Sequence, residues 1–257
     1  MSSPIITLTT DFGHKSGFVG IMKGVILGIA PEVHIVDLSH SIAPQNILEA
    51  QFLLQRAEPY FPQDTIHVAV VDPGVGSSRR PVIVRTQRCI FLGPDNGIFT
   101  PWLDGAEIRH LNRKEYFNPK VSGTFHGRDI FAPVAAYLAR GIKLQDLGSV
   151  ITDPIRKSIP QPQIKTGEII GEIIHIDDFG NLITNIATED LAGFRNPIIR
   201  IGRKAIKGLV NSYSDVTSGT LCALVGSHGK LEIALSMGNA SQALGANLGQ
   251  NVIVKNS

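Results

Sequence analysis

At 257 residues, 43% hydrophobic and 18% charged, the chain can bury a sizeable core and form one large domain or two. The net charge is +2, with Lys and Arg scattered instead of gathered into basic runs, which argues against a nucleic-acid-binding surface. No stretch approaches the roughly 18 consecutive apolar residues of a membrane span, and Met1-Ser2-Ser3-Pro4-Ile5-Ile6 lacks the basic patch and apolar core of a secretory signal, so a soluble, cytoplasmic protein is expected.

In chain order, short apolar runs alternate with stretches of helical period: strand 5–10, helix 17–30, strand 33–38, helix 46–60, strand 65–72. This βαβαβ pattern predicts an α/β fold, a mostly parallel sheet flanked by helices. Further strands are expected at 81–86 and 88–92, and a helix at 129–140 closed by Gly141 as its C-cap. Ile159-Pro160-Gln161-Pro162-Gln163 is helix-breaking and reads as a linker. Beyond it, β-rich runs at 168–176, 182–186, 197–201, 220–225, 231–235 and 251–254 suggest a smaller β-barrel-like domain. The expected division is 1–158 and 165–257. Cys89 and Cys222 sit in separate apolar runs and read as buried, reduced thiols.

Ligands of open α/β sheets sit at the carboxyl ends of the strands. The first three strands end in Thr9-Thr10-Asp11-Phe12-Gly13, Asp37-Leu38-Ser39-His40 and Asp72-Pro73-Gly74-Val75-Gly76, so Asp11, Asp37 and Asp72 are expected along one rim. Each alone could simply cap a turn. The stretch after Asp72 fits neither the Walker loop nor the dinucleotide glycine pattern. Its glycines permit a sharp turn that would return Arg79 to Asp72, where the guanidinium would keep the carboxylate charged and oriented. His126 precedes a predicted helix start, whose dipole favours a neutral imidazole with one nitrogen free to accept a proton. Pro94-Asp95-Asn96-Gly97 is most simply a turn, and the polar stretches 177–185, 226–229 and 238–240 could be loops alone. No His/Cys/Glu spacing typical of a metal site and no Gly-x-Ser-x-Gly elbow is present.

Taken in order, Thr10-Asp11-Phe12-Gly13, Met22-Lys23-Gly24, Asp72-Pro73-Gly74-Val75-Gly76 with Arg79-Arg80, Pro94-Asp95-Asn96-Gly97, Phe125-His126-Gly127-Arg128-Asp129-Ile130-Phe131-Ala132-Pro133, Phe179-Gly180-Asn181 with Thr184-Asn185, and Gly226-Ser227 resemble the S-adenosyl-L-methionine (SAM) hydroxide adenosyltransferases, relatives of the fluorinases and chlorinases. The resemblance implies attack of water or hydroxide on ribose C5′ of SAM, giving adenosine and L-methionine, with SAM as substrate, no cofactor and no metal. It also implies a homotrimer whose intersubunit sites join the α/β domain of one subunit to the β domain of its neighbour. The family's activating trio falls on Asp72, Arg79 and His126. By position, Asp11 matches the ribose-hydroxyl contact, Asp177 and Ser227 the methionine amine and carboxylate contacts, Asn181 and the Ala240 backbone the adenine contacts, and Tyr213 an aromatic beside the adenine.

Two positions depart from the family: Ser16 stands where an acid is common, and His228 where fluorinases have an arginine. Fluorinases place uncharged tyrosines at the positions of Asp72 and His126, so a charged Asp72 disfavours a bare halide here. A SAM-dependent halogenase, a metal-dependent hydrolase and a non-catalytic adenosine- or SAM-binding module are the alternatives.

Overall fold

The structure is a computed structural model and describes residues 3–157 and 160–256. The chain divides into two compact units, 1–158 and 159–257. The first contains β1 (Ile5–Thr10), α1 (Phe18–Ile29), β2 (His34–Ser39), α2 (Ile47–Ala57), β3 (Ile66–Val70), β4 (Pro81–Arg85), β5 (Ile90–Pro94), β6 (Glu107–Leu111), α3 (Ala132–Ala139), α4 (Leu144–Leu147) and β7 (Gly148–Val150). Its strand order is β2-β1-β3-β5-β4-β6-β7. Strands β2, β1, β3 and β5 run parallel, while β4, β6 and β7 form an antiparallel flank. The sequence reading missed β6 because Glu107-Ile108-Arg109-His110-Leu111 carries only two apolar residues, and β7 because it is three residues long.

Helix α1 contains Gly20, Gly24 and Gly28, which are poor helix formers, and its cap residue Gly17 makes no side-chain capping bond. Tertiary burial of Val19, Met22 and Ile26, spaced to share one face, holds it instead. With α3 it covers Ile6, Leu8, Val68 and Leu92 on one sheet face; α2 covers Val71, Val84 and Phe91 on the other. Each such buried aliphatic side chain contributes about 1.5–3 kcal/mol. The predicted helix 46–60 ends early, at Ala57, and a 3₁₀ turn containing Pro59 follows.

The second unit holds β8 (Gln163–Lys165), β9 (Glu168–Ile176), β10 (Leu182–Ala187), β11 (Ile198–Ile201), β12 (Lys204–Lys207), β13 (Leu221–Val225), β14 (Lys230–Leu235), α5 (Ala240–Leu244) and β15 (Asn251–Lys255). Its antiparallel order is β12-β11-β15-β9-β10-β14-β13, with β8 on β9. The end strands β12 and β13 approach each other, so the sheet nearly closes around Ile169, Ile173, Leu182, Ile233 and Val252. Gln163, read as the end of a linker, already pairs with Ile170, while Ile159 of that stretch lies outside the described residues. Both cysteines are buried and neither forms a disulfide. Among the described residues, no helix is long and apolar enough to cross a membrane.

Candidate active site

Register places two of the three aspartates at the carboxyl rim. Thr10 pairs with Val70, so Asp11 and Asp72 lie just past the ends of adjacent parallel strands. Asp37 does not reach the rim: it lies inside β2, level with Leu8. Asp11 Oδ2 accepts a hydrogen bond of 2.9 Å from Gln45 N in the loop before α2.

The turn after Asp72 returns Arg79 to it. Arg79 Nε donates to Asp72 Oδ1 at 3.1 Å and Oδ2 at 2.9 Å, and Nη2 also donates to Oδ2. The two side chains are only 7% and 4% exposed, so this is a buried ion pair. Nη2 also donates to His126 Nδ1 at 2.7 Å. Arg79 Nη1 is buried with no partner among the described residues, and the guanidinium lies 5.5 Å from the centre of the Phe131 ring.

Sequence reasoning left one nitrogen of His126 free for a proton, and the geometry corrects it. Arginine only donates, so Nδ1 is the acceptor and the neutral ring carries its hydrogen on Nε2. Burial first, then the charge of Arg79, push the His126 pKa below its ordinary 6.5, against a weaker pull from Asp72 and Asp129. His126 is a neutral rest for Arg79, and the lone pairs of Asp72 are the basic sites of the group.

Two close approaches build this pocket. Gly76 has φ 77°, and a Cβ there would stand 2.2 Å from the Gly123 carbonyl oxygen, so the loops bearing Arg79 and His126 touch through bare backbone. The predicted helix start also differs: Gly127–Phe131 is a π turn, and the α-helix begins at Ala132. Pro133 has no N–H to give the Asp129 carbonyl four residues earlier, and that oxygen accepts from Asn118 N at 2.9 Å instead. The Asp129 side chain takes hydrogen bonds from Ser122 N, Ser122 Oγ, Asn118 and Arg128. Burial opposes its charge, but these bonds win and hold the carboxyl far below the usual range. They fix the segment that delivers His126. Asn96, read as a turn residue, donates to the Val71 carbonyl at 2.9 Å and so steadies the backbone just before Asp72.

Among the second unit's expected contacts, Asp177 Oδ1 accepts from Phe179 N and Asn181 N, and Oδ2 accepts from the Asn181 amide at 3.0 Å. Gly180 has φ 83° and lies against the Asn239 side chain, and its carbonyl accepts from Ser241 N at 2.9 Å, bringing Asn181 near Ala240 at the start of α5. Tyr213 donates to Glu232 Oε1 at 2.6 Å. Burial, then Glu232, push the phenol pKa well above its usual value. Ser227 is exposed on the turn between β13 and β14, and its neighbour His228 lies 3.1 Å from Glu232 Oε2. Sequence reasoning missed Glu232: strand alternation after Leu231 would put it in solvent, yet it is buried. Ser122, Asp129 and Asn96 escaped because their work is to hold backbone, which leaves only ordinary loop composition. Among the described residues, no three His, Cys, Asp or Glu side chains gather as a metal-binding group.

A parallel-sheet rim bearing a buried acid–arginine–imidazole group, joined in one chain to an antiparallel near-barrel with polar loops, defines a two-unit enzyme. The chain belongs to the SAM hydroxide adenosyltransferase family: residues 6–148 match its N-terminal domain and 171–253 its C-terminal domain. It is 38% identical to the (R)-S-adenosyl-L-methionine hydrolase of Methanocaldococcus jannaschii, over 93% of this chain and 91% of that protein. The hydrolase of the same name from Thermus thermophilus is 36% identical, over 95% and 96%. A fluorinase from an Actinoplanes species is 29% identical over 74% of each chain. Among solved structures, an uncharacterized conserved protein from Thermotoga maritima superposes with a TM-score of 0.91 at 37% identity, over 98% of this chain and all of that one.

Proposed function

We propose that this chain hydrolyses SAM: water or hydroxide attacks ribose C5′, the C5′–sulfur bond breaks, and adenosine, L-methionine and the proton of the attacking water are released. The buried Asp72–Arg79–His126 group carries this reading, because it holds a charged acceptor at the sheet rim. Asp72 orients the water and takes its proton. Arg79 keeps Asp72 charged and balances the developing hydroxide, while His126, neutral, keeps the guanidinium in place. The sulfonium leaves without protonation, so the protein's task is to align the oxygen behind C5′, which is worth several kcal/mol of barrier. No cofactor enters this scheme. Asp11 holds the ribose hydroxyls, Asp177 and Ser227 the amino-acid end, and Asn181, Tyr213 and the Ala240 backbone the adenine.

The reading includes a homotrimer in which subunits complete each other's sites. The outward face of α1 supports association: Ile21 and Leu27 are exposed beside Gly20, Gly24 and Gly28, and Lys23 on the same helix is paired with Asp37. The test is incubation with SAM in ¹⁸O-labelled water, with and without chelator or halide. Adenosine labelled at the 5′ oxygen, formed regardless of either addition, is expected. Unlabelled product, a halogenated nucleoside or loss of turnover with chelator would overturn the assignment.

A further inference from the structure

A chain of side chains behind the rim has no part in the chemistry above. Lys23 Nζ on α1 lies 2.6 Å from Asp37 Oδ2 on β2, and Asp37 Oδ1 lies 3.0 Å from His40 Nε2. His40 Nδ1 meets Thr10 Oγ1 at 2.9 Å. Thr10 Oγ1 accepts from Phe12 N at 3.2 Å, and Gly13 N donates to the His40 carbonyl at 2.8 Å. Thr10 and His40 are fully buried, so this is not an exposed nucleophile with its base.

One proton arrangement suits the chain, with the His40–Asp37 approach of 3.0 Å a close polar contact and not an aligned hydrogen bond. Thr10 Oγ1 gives its hydrogen to His40 Nδ1, leaving the hydrogen on Nε2 toward Asp37, whose second oxygen takes Lys23. Burial opposes the charge of Asp37, but Lys23 and His40 prevail and hold its carboxyl below the usual range. His40 thus grips both sides of Asp11-Phe12: its ring holds Thr10 before them and its carbonyl holds Gly13 after them.

We propose that His40 is a positioning residue for ribose recognition, clamping the Asp11 turn through Thr10 and Gly13 while Asp37 and Lys23 fix its imidazole. This rests on the assignment of Asp11 to the ribose hydroxyls. It predicts a defect confined to ligands that carry those hydroxyls.

The experiment compares calorimetric binding of adenosine and 2′,3′-dideoxyadenosine by the unaltered protein, Asp11→Ala, His40→Ala and Asp37→Asn. His40→Ala should lose adenosine affinity on the order of tenfold, while its dideoxyadenosine affinity stays within about twofold. Asp37→Asn, which spares the Thr10 and Gly13 contacts, should show the same selective loss to a smaller extent. It also serves if His40→Ala does not fold. Equal losses for both nucleosides, or none for either, overturn the clamp. If Asp11→Ala loses the preference for adenosine while both clamp variants keep it, the clamp alone fails. If the unaltered protein binds the two nucleosides alike, the ribose role of Asp11 fails and the clamp with it.

Discussion

Replacing Asp72 with Asn separates the structural and chemical roles of the buried pair. The amide keeps the shape but removes the charge that three donor contacts from Arg79 address, stranding a guanidinium only 7% exposed. Losing one partner of a buried pair costs about 3–5 kcal/mol. At roughly 2–4 °C per kcal/mol for a unit of this size, Tm should fall by roughly 6–20 °C. Turnover should fall about 10²–10⁴-fold through loss of the proton acceptor, while SAM binding persists. Adding Arg79→Met removes the stranded charge, so the double variant should regain most of the lost Tm without regaining turnover. Thermal denaturation, SAM titration and adenosine release measure all three. Asp72→Asn turnover within tenfold of the unaltered rate, or a double variant no more stable than the single, would refute the reasoning.

Because burial and Arg79 lower the His126 pKa, kcat/KM should be flat near neutrality and fall only at pH below 6.5; a midpoint at or above 6.5 contradicts the Arg79–His126 contact. His67, buried in β3, has its pKa lowered from 6.5 to about 4, by burial and then by Arg88. As pH falls the unfolded chain takes up its proton first, so stability held above 6.5 is lost progressively down to about 4, by on the order of 3 kcal/mol. Urea unfolding at several pH values should show this window, and His67→Leu should flatten it; an equally steep loss in the variant sinks the claim. Gly76→Ala should push the two pocket loops apart and cut turnover at least about tenfold, since it combines a positive φ with backbone contact; unaltered kinetics would show that the loops need not touch.

Much of the site was legible because its residues punctuate apolar runs. Asp11 and Asp72 end strands, and Gly74 and Gly76 mark the turn that returns Arg79. The outer antiparallel flank was not, since β6 carries only two apolar residues in no regular alternation and a strand's partner depends on chain far away in sequence. The direction of the Arg79–His126 bond was also hidden: a helix start predicts a neutral imidazole but says nothing of which side chain meets which nitrogen.

The amino-acid order by itself determined the alternation of strands and helices, the change to β-rich composition and which residues stand at strand ends, because backbone periodicity and turn chemistry are local. Only the tertiary structure decided that Asp37 lies below the rim, that Glu232 is buried, and that Thr10, His40, Asp37 and Lys23 form one chain. Those outcomes depend on strand register and on which polar groups lose their water together, and both are set by packing between residues distant in sequence.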